Sequence, residues 1–216
     1  MINIRPLFYW SFAAAAIVGS STLLAQAAVA APIVVQVNDD KGQPIADAVV
    51  YATSAATAAA ANTPSAAGTP PAGIVIDQIK RMFVPMVSVV QKGGAVSFPN
   101  KDNFEHDVYS FSQGNAFKLN LYHGVTAKPV HFDHAGLVVM GCSIHDQMVA
   151  YLMVVDTPYY AKTDAAGKAT LDVPGAQSYK VTVWDHRMPT DALAPSRDWR
   201  SGSPALPPFA LTLTAR

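Results

Sequence analysis

Val87-Ser88-Val89-Val90-Gln91-Lys92-Gly93-Gly94-Ala95-Val96-Ser97-Phe98 reads as two short, β-branched runs separated by a pair of glycines. Glycine accepts positive φ, so Gly93-Gly94 predicts a tight hairpin turn between two strands. Outward from it the same texture continues. Strands are expected at 74–76, 83–90, 95–98, 107–111, 130–132, 136–140 and 148–155, each punctuated by turn residues. No long amphipathic helix intervenes, and the spacing predicts an antiparallel β-sandwich, an all-β fold. Residues 115–122 are compatible with one short helical turn.

The flanks carry further strands. Residues 32–37 alternate into the turn signal Asn38-Asp39-Asp40-Lys41-Gly42, and 46–51 follow as a second strand, which predicts a hairpin. Residues 54–73 are almost entirely Ala, Thr, Ser and Pro and lack periodic large apolar residues, so they read as a linker or mobile loop. Ala58 to Ala61 are too few to hold a helix alone. A last strand is expected after the tail that follows. The Pro-, Ser- and Ala-rich stretch 188–208 is expected to run irregularly over the surface.

Residues 1–30 carry one charge, Arg5, then a mostly apolar run over 12–24 and Ala28-Val29-Ala30, an A-x-A cleavage pattern. They read as a Sec-type secretory leader that is removed, placing the mature chain in an oxidising compartment, the periplasm. Nothing else approaches the roughly 18 apolar residues of a membrane span. A single cysteine, Cys142, is then unusual, because a lone thiol there cannot form an internal disulfide and is exposed to oxidation. Metal ligation would explain its presence.

Cys142 opens the run Cys142-Ser143-Ile144-His145-Asp146-Gln147-Met148, three metal-capable side chains spaced three residues apart. Thiolate, imidazole and thioether form the soft, mixed set that suits copper in a trigonal His₂Cys site with a weak axial Met. The second histidine is nominated as His106, at the junction of the loop 100–105 and the strand after it. One distant ligand and three from a single loop make a site imposed by the folded scaffold. Zinc in the same cage, or no metal, are the competing readings. His131 and His134 flank Asp133 as an auxiliary metal candidate, more simply read as surface residues. His123 and His186 are weaker still. Met140 and Met153 read as core or rim.

Lys+Arg and Asp+Glu both total 15, so bulk charge points to neither nucleic acid nor an anionic membrane. No phosphate-binding glycine loop, haem-attachment motif, two-cysteine copper signature or recognisable Ser/His/Asp context is present, and the chain is not expected to be an enzyme.

Residues 87–100, His106-Asp107-Val108 and 142–149, taken together, make residues 86–155 resemble a cupredoxin, a blue copper protein, within a domain expected over 74–156. The C-x₂-H-x₂-M spacing is similar to that of the amicyanin type. The resemblance implies a Greek-key sandwich holding one type 1 copper, with His106, Cys142 and His145 as strong equatorial ligands and Met148 as the weak axial one. It also implies a one-electron carrier that docks transiently on redox partner proteins through the surface around His145, and it suggests a dehydrogenase as partner. A copper chaperone or storage protein with the same ligands, and a metal-free binding sandwich of the cell envelope, are the alternatives.

Two positions depart from that family. Asp107 stands where these proteins usually carry asparagine, and a carboxylate there is expected either to take up a proton or to point away. Gly141 precedes the cysteine where many relatives carry a larger residue, which is expected to loosen packing over the thiolate. Residues 34–50 and 163–175 resemble the opening strands and later turn of a carboxypeptidase regulatory-like β-sandwich. That resemblance implies a second, Ig-like sandwich of seven-stranded type. Residues 31–53 would open it and 157–216 would close it and carry the Pro-rich tail. The alternative is that these strands extend a single sandwich.

Overall fold

The computed structural model describes residues 30–61, 73–125, 128–175 and 177–214. The leader read at 1–30 lies outside them except for Ala30, and of the stretch 54–73 only 54–61 and 73 are described.

The chain opens with β1 (Ala30–Asp39) and β2 (Val49–Thr53), then a short helix, α1 (Ala55–Ala61). The helix corrects the expectation of an unstructured stretch, and its cause is local. The Thr57 amide donates to the Ser54 hydroxyl at 3.2 Å while the Ser54 amide donates to the Thr57 hydroxyl at 2.7 Å, a reciprocal cap that starts a helix the alanines cannot start alone. Next come β3 (Ile74–Val75), β4 (Asp77–Gln78), β5 (Phe83–Val84), β6 (Val87–Gln91) and β7 (Gly94–Ser97). The run expected over 83–90 is thus split around Pro85, which has no amide to donate to a ladder. β8 (His106–Ser110), β9 (Phe117–Tyr122), β10 (Val130–Phe132), β11 (Gly136–Gly141) and β12 (Val149–Val155) follow. β9 replaces the helical turn allowed at 115–122: its ladder with β8 satisfies the backbone groups a helix would have paired internally. The chain ends with β13 (Tyr160–Lys162), β14 (Lys168–Pro174), β15 (Ser178–Trp184), β16 (Ser196–Arg200) and β17 (Phe209–Leu211). β16 lies inside the tail expected to be irregular. It pairs antiparallel with β15, and Trp199 supplies the apolar anchor that the surrounding Pro and Ser obscure.

The hairpin predicted at Gly93-Gly94 does not form, and the one predicted over 32–51 is limited to a short turn with one antiparallel bridge, Asn38 to Pro44, without pairing β1 to β2. β6 pairs with β12, in parallel, while β7 pairs with β10 and β3, so the Gly93 turn (φ 83°) carries the chain from one sheet to the other. A Cβ on Gly94 would lie 2.3 Å from a Val90 methyl, so the arch closes only over glycine. Likewise β1 pairs with β14 and β17, whereas β2 lies between β13 and β15. β1 with β17 and β3 with β7 are also parallel, so the sheets are mixed rather than purely antiparallel.

The five-stranded sheet β6-β12-β11-β8-β9 and the three-stranded sheet β10-β7-β3 close on one apolar core, which includes Phe98, Phe132, Met140 and Leu152. The sheets β14-β1-β17 and β13-β2-β15-β16 close on another, which includes Ile33, Val50, Tyr179 and Phe209. Strand alternation joins the two. β12 turns Ala150, Leu152 and Val154 into the first core and Tyr151, Met153 and Val155 outward, while β2 turns Val50 and Ala52 into the second and Val49 outward. The outward residues meet, with Val87, in a third cluster in which every one of these side chains is buried. Each contributes about 1.5–3 kcal/mol by leaving water, so the two sandwiches are packed together rather than loosely strung.

Candidate metal centre

His106 begins β8, where the register with β9 shifts between His106 and Val108. The irregularity breaks strict alternation: His106, Asp107 and Val108 are all buried, and His106 is fully so. Cys142 and His145 lie in the loop joining β11 to β12, a hairpin whose six paired positions hold the loop ends together. Met148 donates its amide to the His145 carbonyl at 2.8 Å, closing a turn just before β12.

The loop and the start of β8 meet. Cys142 Sγ lies 3.8 Å from His106 Nδ1 and 4.0 Å from His145 Nδ1, and all three donor atoms fall within 4.8 Å of one another. Metal–sulfur and metal–nitrogen bonds of about 2.3 and 2.0–2.1 Å place two ligand atoms roughly 3.8 Å apart at a trigonal angle and roughly 3.5 Å apart at a tetrahedral one. The separations of 3.8 and 4.0 Å are of the size that one metal ion shared by the sulfur and each nitrogen requires. Met148 is 1% exposed and shares the apolar core with Cys142.

Burial pushes the Cys142 thiol up; the Ile144 amide opposes that rise and the charge of Asp107 adds to it. A thiol so placed is a poor free nucleophile, while a bound cation would take it as thiolate. Around it, Phe104 sets its ring edge-on to His106 at 5.0 Å and tilted against His145 at 5.7 Å.

Asp107 neither takes a proton nor points away. Its carboxylate accepts the Ser143 amide at 2.6 Å and the Ser143 hydroxyl at 2.7 Å. Burial raises its pKa, but the Ser143 donors outweigh burial and hold it below the usual carboxylate range. Gly141 lies close under an aromatic ring. Tyr109, its partner across from β8, covers it so closely that a Cβ there would stand 3.0 Å from the phenol oxygen.

Among the described residues, His106, Cys142 and His145 are the one group of three metal-capable side chains brought together. His131, Asp133 and His134 remain separate surface residues. His186 stacks near Tyr151 and lies 3.5 Å from Asp185. Met140 is core and Met153 belongs to the cluster between sandwiches. Sequence reasoning passed over Asp102, Phe104, Tyr109 and Ser143. Asp102 alone left a trace, a carboxylate four residues before a nominated histidine, and that trace acquires meaning only once the loop's path is known.

No protein-family model and no curated protein matches the chain. Solved structures do, and they are copper proteins. A reduced point mutant of amicyanin matches at 22% identity over 49% of this chain and 99% of its own, with a TM-score of 0.35. The purple cupredoxin from Nitrosopumilus maritimus matches at 19% identity over 39% of this chain and 99% of its own, TM-score 0.33. The Cu-containing nitrite reductase from Thermus scotoductus SA-01 matches at 23% identity over 48% of this chain, TM-score 0.37, and only 27% of that enzyme is covered. The chain is an all-β protein, and one of its sandwiches brings His106, Cys142 and His145 together.

Proposed function

We propose that the chain is an exported, periplasmic carrier of single electrons with one type 1 copper, held equatorially by His106, Cys142 and His145 and axially by Met148. The observation that carries this reading is the approach of two imidazole Nδ1 atoms to one thiol at 3.8 and 4.0 Å. A copper ion held there supplies the Cu(II)/Cu(I) couple. The protein's part is to keep the donors fixed, so that little rearranges when an electron arrives or leaves. His106 is fully buried and Cys142 is 3% exposed, which favours retention of the metal over its exchange. His145 is half-buried beside exposed Ile144, and this pair forms the contact for a transient redox partner. With basic and acidic groups balanced, docking relies on apolar contact more than on steering. We assign no catalytic step to the chain, and its second sandwich, 31–53 with 157–216, serves as a packed scaffold.

Reversible voltammetry of the copper-loaded protein, with metal content measured before and after repeated cycling, tests the carrier. One electron per protein with the metal retained supports it. Transfer of Cu(I) to a competing chelator on reduction would instead identify a copper-delivery protein.

A further inference from the structure

Two backbone N–H groups and the His106 ring converge on Asp102. The Lys80 amide donates to Oδ1 at 2.6 Å, the Arg81 amide to Oδ2 at 2.9 Å, and His106 Nε2 lies 2.9 Å from Oδ2. The carboxylate side chain is only 9% exposed and the His106 ring is fully buried. Asn100 Oδ1 fixes the loop from the other side by accepting the Asp102 amide at 3.0 Å.

The donors come from an unusual turn. β4 and β5 are joined through Ile79–Met82, closed by paired backbone hydrogen bonds of 2.9 and 3.1 Å, with Lys80 at φ 53° and Arg81 at φ 59°. Side chains with a Cβ resist this left-handed conformation. Its effect here is to aim two successive amides at one carboxylate. The same turn places the Arg81 guanidinium 5.1 Å from the centre of the Phe104 ring, which itself abuts both His106 and His145.

The proton on His106 follows from this arrangement. Backbone amides can only donate, so both Asp102 oxygens are engaged as acceptors. His106 Nε2 must then carry the hydrogen. The neutral ring keeps its lone pair on Nδ1, the atom that stands 3.8 Å from Cys142 Sγ.

We propose that Asp102 is a positioning residue for the metal centre: held by the Lys80–Arg81 turn, it fixes the orientation and tautomer of His106 so that Nδ1 is presented to copper. The inference rests on the copper reading for its ligand. The turn thereby becomes part of the centre although it supplies no ligand. A carboxylate on the far nitrogen makes the imidazole a stronger donor and favours the higher oxidation state.

Two measurements test it. In metal-free protein, nitrogen-15 NMR of the imidazoles should show His106 as the Nε2–H tautomer; the Nδ1–H tautomer would overturn the proposal whether or not copper binds. In copper-loaded protein, Asp102→Asn places an NH₂ among donors. It should weaken Cu(II) binding by about 10–100-fold and raise the midpoint potential while the blue absorption persists. Wild-type affinity and potential in that variant would refute Asp102's role and leave the copper reading standing. Failure of wild-type protein to bind copper would instead remove that reading, with the tautomer still deciding whether Asp102 orients His106.

Discussion

The Asp107 carboxylate grips Ser143 twice, through its amide at 2.6 Å and its hydroxyl at 2.7 Å. Each residue immediately follows a candidate ligand, His106 or Cys142, so this contact ties the start of β8 to the β11–β12 loop. Hydrogen bonds to a charged group contribute about 1.5–3 kcal/mol, and Asp107→Ala also leaves the Ser143 amide without its acceptor. Urea denaturation of Asp107→Ala is expected to show a loss of about 3 kcal/mol. Asp107→Asn, which keeps one acceptor, should lose roughly half of that.

Gly141 sets the closeness of Tyr109. A Cβ would meet the phenol oxygen at 3.0 Å and the adjoining ring carbon at 3.1 Å. Gly141→Val is therefore expected to cost about 1–3 kcal/mol by overpacking. In a Tyr109→Ala background the same change should cost clearly less. The difference, read from a double-mutant cycle, measures the contact.

Acid stability should depend on Asp185, which is 1% exposed and accepts the Arg187 amide, Nε and Nη2 at 2.9, 2.8 and 2.9 Å. Burial raises its pKa, but the Arg187 bonds prevail and hold it below the ordinary value. A carboxyl group with a depressed folded-state pKa confers stability that is fully present above its unfolded value, near pH 4, and is lost as pH falls through the folded value. Between about pH 4 and 2 the Tm of the wild type should fall more steeply than that of Asp185→Asn. Parallel curves would contradict the assignment.

Met153 lies in the cluster between the sandwiches at 8% exposure, on the strand that also turns Leu152 and Val154 into the first core. Met153→Ala is expected to cost about 2–5 kcal/mol. Because β12 serves both clusters, tryptophan fluorescence, to which Trp184 and Trp199 of the second sandwich contribute, and far-ultraviolet dichroism should report a single coincident transition in wild type.

What the sequence disclosed follows from which features are local. β-branched runs and turn residues revealed an all-β chain, and β8, β10, β11 and β12 fall within a residue or so of where those runs placed them. The Cys142–Met148 run is contiguous, so its chemistry was legible before its shape. Pairing was not: Gly93 and Gly42 turn the chain whichever sheet it enters next, so a sheet-to-sheet arch and a hairpin carry the same signal. α1 was hidden because its start depends on Ser54 and Thr57 rather than on its alanines. β16 was hidden because Trp199 sits in a stretch otherwise composed like a loop. Asp107 was misjudged because its partner, Ser143, lies 36 residues away and donates two hydrogens to it.

The most direct test of the account is addition of Cu(II) to the purified protein while the visible spectrum is recorded. His₂Cys coordination predicts saturation at one copper per chain, with an intense blue thiolate-to-copper band that is lost in Cys142→Ser. A wild-type protein that stays colourless with copper added, or a band that survives Cys142→Ser, would contradict it.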